Sequence, residues 1–284
     1  MAINPNSKEG HEKIFEVIKC CLEELGKEAG LNSKQLEKYY APESRRKSME
    51  SVFKQFILSA QNSFRRTNVI KAGISDKKGG NEEEIKRILY EYDVKRVAAL
   101  NERDLLERFR EAFADKNGNF PEYTWRIWTC AVIDSARFLS TFDGGAKSFY
   151  SAIDDLQKQD LNNSGVIEFV ASNIRNMGFA LVCDAIKELG YDCYPKPDQH
   201  IKDVCSEIGL CSKNDIKAFK AIQEVAESCS ETPYKVDKMI WLVCTGNFYK
   251  DFVDKDEEKT VVVAGQKREL IKRIKEALGA ASSD

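Results

Sequence analysis

A short turn between two helical patterns holds the residues best suited to binding an anion. Helices are predicted over 166–174 and 179–189, with Asn176, Met177 and Gly178 forming a tight turn between them. A helix that begins after such a turn leaves backbone N–H groups free, and these groups with the helix dipole favour a phosphate. Gly178 has no Cβ, so the backbone can approach a ligand closely. The pattern predicts contact with a phosphate backbone that does not depend on nucleotide sequence.

An acidic residue follows this helix pair after a loop bracketed by prolines. The run YPKPDQHI places Asp198 at the start of the next helix, where Pro195 and Pro197 restrict the approaching chain. Two interpretations stay open from the local sequence: Asp198 is an N-cap, or its carboxylate takes part in chemistry. Lys196 and His200 flank it and could contact a phosphate or lie on solvated surface.

Composition sets broad limits on the class of protein. The 284 residues allow one large or two small domains, and with 42% hydrophobic and 32% charged residues the chain can form a core. There is no long apolar run and the N-terminus lacks the apolar stretch of a secretory signal, so we expect no membrane contact and an intracellular location, in cytoplasm, nucleoid or nucleus. Because the net charge is −2, phosphate contact requires a local site rather than a basic total.

Cysteine and histidine usage argues against a metal centre. The nine cysteines form no CxxC pair, and the two histidines stand far apart. Their odd number and mostly apolar surroundings predict reduced thiols in the core. We therefore expect no metal and no other cofactor.

Helical periodicity dominates the chain and predicts an all-α fold. The clearest apolar stripes are Trp125, Trp128, Val132, Ala136 and Leu139; Ile201, Val204, Cys205 and Ile208; and Leu270, Ile274 and Leu278. One strand-like run, 261–263, is too short to imply a sheet. The breaks predict an N-terminal helical extension over 1–45, a helical core over 46–255, and a C-terminal basic helix with a frayed tail over 256–284.

The turn and the aspartate together resemble the helix-hairpin-helix/Gly-Pro-Asp superfamily of DNA glycosylases, which includes endonuclease III and the 3-methyladenine glycosylases. In that family a hairpin of the form hydrophobic–x–Gly–hydrophobic–Gly begins a helix, and a proline-containing loop and an aspartate follow. This chain has NMGFAL and then KPDQHI. Upstream, FILSAQNSF over 56–64 resembles the LLSAQ segment of the family. The likeness covers roughly residues 50–250, and its hairpin-to-aspartate part is the more specific.

The resemblance implies a two-lobed, all-α DNA glycosylase that acts as a monomer on double-stranded DNA containing a damaged or mismatched base. Asp198 would be the catalytic carboxylate, stabilising an oxocarbenium-like sugar or activating water at a flipped nucleotide. It assigns DNA contacts to Gln61, Arg175, Asn176, Met177, Gly178, Phe179, Lys196 and His200, and it suggests Trp125, Trp128, Asp134 and Trp241 for the base pocket. Gln61 would fill the gap left by the extruded base. The tryptophans equally suit core positions, because they lie on apolar stripes.

Departures from the family pattern narrow the expected chemistry. Asn176 replaces the first hairpin glycine, and asparagine can also adopt a left-handed conformation. Ala180 stands where endonuclease III has a lysine, which implies a monofunctional enzyme without lyase activity. The four-cysteine iron–sulfur pattern is absent. Two alternatives stay open: a DNA-binding protein that keeps the hairpin without the chemistry, and a helical scaffold in which PDQH is a coincidence.

Overall fold

The computed structural model of the protein describes residues 2–62, 82–159, 164–248 and 261–279. Helices make up nearly all of the regular structure in these residues, which confirms the all-α class. The helices are α1 (Lys8–Glu28), α2 (Ser33–Tyr39), α3 (Met49–Gln61), α4 (Glu82–Ile88), α5 (Val94–Ala98), α6 (Glu102–Phe113), α7 (Glu122–Ser140), α8 (Ala146–Gln159), α9 (Ser164–Asn173), α10 (Phe179–Lys187), α11 (Gln199–Glu207), α12 (Asp215–Ser228), α13 (Pro233–Thr245) and α14 (Lys267–Ala277). None of the described helices combines the length and the apolar character that crossing a membrane requires.

The chain divides into two compact units. One unit, called here the continuous unit, is Ser44–Gly190; the other, the discontinuous unit, joins Met1–Glu43 with Tyr191–Asp284. This differs from the three consecutive segments expected from the sequence, because α1 packs with α12, α13 and α14 rather than forming an extension. Such long-range packing leaves no local trace in the sequence. The end of the predicted frayed tail, 280–284, lies outside the described residues.

Helix α7 is the centre of the continuous unit, where it packs against α3, α5 and α6. Its apolar stripe is buried as the periodicity predicts, and Trp125 and Trp128 are 1% and 0% exposed. The Trp128 indole Nε1 donates a hydrogen bond of 3.0 Å to the carbonyl oxygen of Ile57 on α3. The Trp125 ring stacks on Phe113, with centroids 4.9 Å apart. Because these rings are buried and the Trp128 indole N–H is hydrogen-bonded, the packing of this core is well defined.

The discontinuous unit has its own core between α1 and the C-terminal helices. Residues from every part of this unit contribute, including Ile18, Ile201, Ile222, Val243 and Ile274. A two-residue antiparallel ladder pairs β1 (Asn247–Phe248) with β2 (Val261–Val262), so the strand-like run does form a strand, although only a minimal one. Between α13 and β1, Gly246 has a φ of 66°, and a Cβ there would lie 2.1 Å from the carbonyl oxygen of Val263. Only glycine allows the chain to turn back at this point.

Candidate nucleic-acid interface and carboxylate site

The predicted turn is present between α9 and α10 in the continuous unit. Its backbone closes through a 3.3 Å hydrogen bond from the Met177 N–H to the carbonyl oxygen of Ile174. Met177 points inward, is 1% exposed, and its sulfur accepts a 3.8 Å hydrogen bond from the Ser135 hydroxyl on α7. The remaining turn residues Arg175, Asn176 and Gly178 are exposed. One apolar anchor therefore fixes the turn and leaves its outer side accessible.

Asn176 adopts a left-handed conformation, with a φ of 62°. Asparagine is one of the few residue types that enter this region at modest cost. Its side-chain Nδ2 donates to the carbonyl oxygen of Ile127 on α7 at 3.4 Å. The turn therefore has a left-handed residue at this position without a glycine.

Gly178 is the N-cap of α10, with φ −71° and ψ 175°, and no side chain caps this helix. A Cβ added at Gly178 would meet no atom within 4 Å. The backbone N–H groups of Gly178 and Ala180 have no hydrogen-bond partner among the described residues. An uncapped helix start that is open to solvent can receive an anion without displacing any protein group.

Arg175 is exposed but is not a free cation, because it is paired with acidic residues. Its Nε lies 2.6 Å from Asp134 Oδ2, and its Nη2 lies 2.9 Å from Asp134 Oδ1. The Arg175 backbone N–H also donates to Asp134 Oδ2, at 3.1 Å, and its guanidinium further contacts Glu102. The Asp134 side chain is only 10% exposed, so its charge requires such partners. The structure thus assigns Arg175 to holding the turn, and Asp134 to Arg175 rather than to a base.

The charges of the cluster formed by Asp134, Arg175 and Glu102 depend on one another. Burial alone would raise the pKa of Asp134, but the hydrogen bonds from Arg175 outweigh that effect and the net shift is downward. The hydrogen bonds that Arg175 donates to Asp134, and then the one to Glu102, raise the pKa of Arg175. The pair is therefore charged at neutral pH and balances its own charge, which leaves phosphate binding to the backbone N–H groups.

The three tryptophans suggested for the base pocket belong to helices of two different units. Trp125 and Trp128 lie in the core of the continuous unit, which corrects their suggested role, since a base cannot stack on rings already covered by protein. Trp241 belongs to α13 in the discontinuous unit, where it is partly buried. Gln61 lies in the last turn of α3 and is 5% exposed, so its side chain would have to leave the interior to enter a base stack. The segment that follows it, 63–81, lies outside the described residues.

Asp198 is the N-cap of α11 in the discontinuous unit. Its Oδ1 accepts hydrogen bonds from the backbone N–H groups of His200, at 2.8 Å, and Ile201, at 3.1 Å. Its Oδ2 has no hydrogen-bond partner among the described residues. The side chain is half-buried. One oxygen therefore orients the carboxylate, and the other can face a ligand.

A buried acid that sequence reasoning missed positions the loop before Asp198. Asp237 on α13 is 1% exposed, and its Oδ2 accepts a 2.9 Å hydrogen bond from the backbone N–H of Lys196. Gln223 on α12 adds a 3.1 Å hydrogen bond to the carbonyl oxygen of Cys193. A single acid within the apolar stripe of α13 is the sequence feature that could have revealed Asp237.

Lys196 and His200, on either side of Asp198, both have backbone N–H groups held by a carboxylate. Lys196 is half-buried and its backbone is held by Asp237, while the His200 N–H is used by the carboxylate. The His200 Nδ1 atom is shielded from solvent. His200 therefore contributes to the local packing of α11 rather than presenting this nitrogen to solvent.

No family model, curated protein or solved structure matches the chain. The likeness to the glycosylase superfamily therefore rests on the sequence of the turn, of the segment around Asp198 and of the FILSAQNSF run.

Replacing Asp134 by asparagine tests whether this carboxylate holds the turn. Asp134→Asn is expected to lower the free energy of unfolding by about 1–3 kcal/mol, because the hydrogen bonds from Arg175 to this buried side chain lose their charged acceptor. Because the pKa of Asp134 is lowered in the folded state, its contribution is complete above the usual aspartate pKa. The contribution is lost as the pH falls through the lower value of the folded state. Urea unfolding of the full chain at about pH 7 and about pH 3 measures both effects.

Asp155→Asn is the matched control, since Asp155 pairs with Lys158 at 2.9 Å but its side chain is 61% exposed. Its effect should stay within about 0.5 kcal/mol. Equal effects of the two substitutions at neutral pH would contradict the assigned role of Asp134.

Proposed function

We propose that the protein is a monofunctional DNA glycosylase of base-excision repair that acts on double-stranded DNA. It hydrolyses the N-glycosidic bond of a damaged or mismatched base that has been flipped out of the helix, and Asp198 is its catalytic carboxylate. The observation that carries the proposal is the exposed, uncapped start of α10 behind a left-handed Asn176. The proposal extends to a two-lobed glycosylase-like fold for the two compact units and to a monomeric protein.

Binding of the DNA backbone is assigned to the turn over 174–178. The available N–H groups of Gly178 and Ala180, with the dipole of α10, provide a site for one phosphate. Such a contact positions the duplex without reading its sequence. A phosphate contact of this kind suits an enzyme that inspects many base pairs and identifies its target nucleotide by how easily it flips out of the duplex.

The chemical step is assigned to Asp198. Loss of a base leaves positive charge on the sugar, and a preoriented carboxylate stabilises that charge by several kcal/mol. The Oδ1 atom is fixed by two backbone N–H groups, which leaves Oδ2 to face the sugar or a water molecule. Neither Phe179 nor Ala180 offers the amine needed for a Schiff base, so the product is an abasic site in an intact strand.

A second candidate function has its own support. The two capping hydrogen bonds to Asp198 explain the presence of an aspartate without any reaction. With the turn unchanged, the protein would then bind DNA and release no base.

Replacing Asp198 by asparagine distinguishes the two functions. Because asparagine is as good an N-cap as aspartate, Asp198→Asn should fold normally. Single-turnover release of bases from duplexes that each contain one damaged or mismatched base should fall at least about a hundredfold, with duplex affinity within about twofold. Abasic sites are scored after alkali treatment.

Asp93→Asn is the matched control, because Asp93 caps α5 through the N–H of Arg96 and should leave base release unchanged. Undiminished release by Asp198→Asn would remove Asp198 from the reaction. Absence of release by the native chain on every duplex, with binding retained, would favour the non-catalytic function. Strand cleavage without alkali would contradict the monofunctional assignment.

A methyl group at Gly178 tests the phosphate contact separately. Gly178→Ala should not disturb the fold, because the φ of −71° suits alanine and the Cβ lies in open space. The methyl group occupies the approach of a phosphate, so duplex affinity should fall roughly tenfold. Ser151→Thr adds a methyl to the exposed face of α8 and is the control. Fluorescence anisotropy over a range of salt concentrations measures both variants, and equal affinities would show that DNA does not contact this turn.

A further inference from the structure

Two cysteines meet where α11 ends in the discontinuous unit. Cys205 lies in the last turns of α11 and is 0% exposed, while Cys211 is half-buried in the following loop. The chain turns back between them, so the backbone N–H of Cys211 donates to the carbonyl oxygen of Cys205 at 3.3 Å. Leu210 donates to the same oxygen at 2.9 Å. Both thiols are free.

The backbone hydrogen bond also limits the separation of the two residues. A direct N–H···O contact keeps their Cα atoms within roughly 7 Å of each other, close to the range that a disulfide spans. The loop includes Gly209 at a φ of 81°, which provides the sharp reversal that brings the backbone of Cys211 back beside that of Cys205. Closing a bond between the sulfurs therefore requires only local movement.

The two thiols are unequal in acidity. A hydrogen bond between the sulfurs lowers the pKa of Cys211, burial partly opposes this, and the charge of Lys217 adds to the lowering. The same hydrogen bond, with burial, raises the pKa of Cys205. Elsewhere burial raises the pKa of Cys21, Cys130, Cys229 and Cys244. Since the thiolate is the nucleophile, Cys211 is the more reactive member of the pair.

We propose that Cys205 and Cys211 form a peroxide-oxidisable dithiol that closes to a reversible disulfide. The Cys211 sulfur attacks one oxygen of hydrogen peroxide, the O–O bond breaks, and Cys211 sulfenic acid and water result. The Cys205 sulfur then attacks the Cys211 sulfur, its proton joins the departing hydroxyl, and a second water leaves. The two thiols lose two electrons in total, which peroxide accepts. This site is independent of the proposed glycosylase activity.

The test uses the full native chain and hydrogen peroxide in low molar excess. After the reaction, remaining thiols are alkylated under denaturing conditions, and peptides are analysed by mass spectrometry. The Cys205–Cys211 cross-link should form at least about tenfold faster than any other cysteine is oxidised, and a dithiol reductant should reverse it. Cys211→Ser should abolish it, while Cys20→Ser, at an exposed thiol, should not change it.

Cys205→Ser provides a second readout, because Cys211 should then stop at a sulfenic acid that dimedone traps. Since that variant removes a buried sulfur and could misfold, dimedone competition in the native chain supplies the same information. Oxidation of Cys211 in the native chain to the sulfinic acid, with Cys205 still fully alkylated, would overturn the proposal. Faster oxidation of Cys20 would also overturn it.

Discussion

A buried carboxylate that must find partners is the constraint on which the candidate DNA interface depends. Asp134 lies on the central helix α7, and three hydrogen bonds from Arg175 compensate its charge. One of these bonds comes from the backbone, so the cluster fixes the chain path and not only a side chain. The inward Met177 and the left-handed Asn176 complete the turn, and its outer N–H groups remain available.

The segment that carries Asp198 is also held by a buried carboxylate. Asp237, buried on α13, accepts the backbone N–H of Lys196, and the loop then delivers Asp198 to the start of α11. In each unit an acid from a core helix therefore fixes a segment that lacks regular structure. Rigid support of this kind is what a preorganised binding or catalytic group requires.

Much of this arrangement follows from local sequence. Periodicity predicts the apolar stripe of α7, and the NMG run and the proline-bracketed aspartate predict the turn and the N-cap. Periodicity alone also indicates burial of Trp125 and Trp128, whereas the family likeness had suggested a pocket for them. Local sequence patterns predict a structural feature well where the interactions that determine it join residues close together in the sequence.

The pairings across the fold could not be predicted in this way. Arg175 is drawn to Asp134 and not to solvent, and Asp237 supports a loop distant from it in sequence. The association of α1 with α14 likewise depends on which apolar faces meet after folding. Charge, hydrogen-bonding capacity and amphipathic faces are visible in a sequence, but the partners are chosen by the tertiary structure.

Amide hydrogen exchange at Gly178 and Ala180 tests the proposed DNA contact most directly, because these N–H groups have no partner among the described residues. In the free protein both should exchange rapidly. Saturating duplex DNA at low salt should slow their exchange markedly, while exchange at the exposed Lys147 in the first turn of α8 should not change. Equal exchange with and without bound duplex would contradict a phosphate contact at this turn.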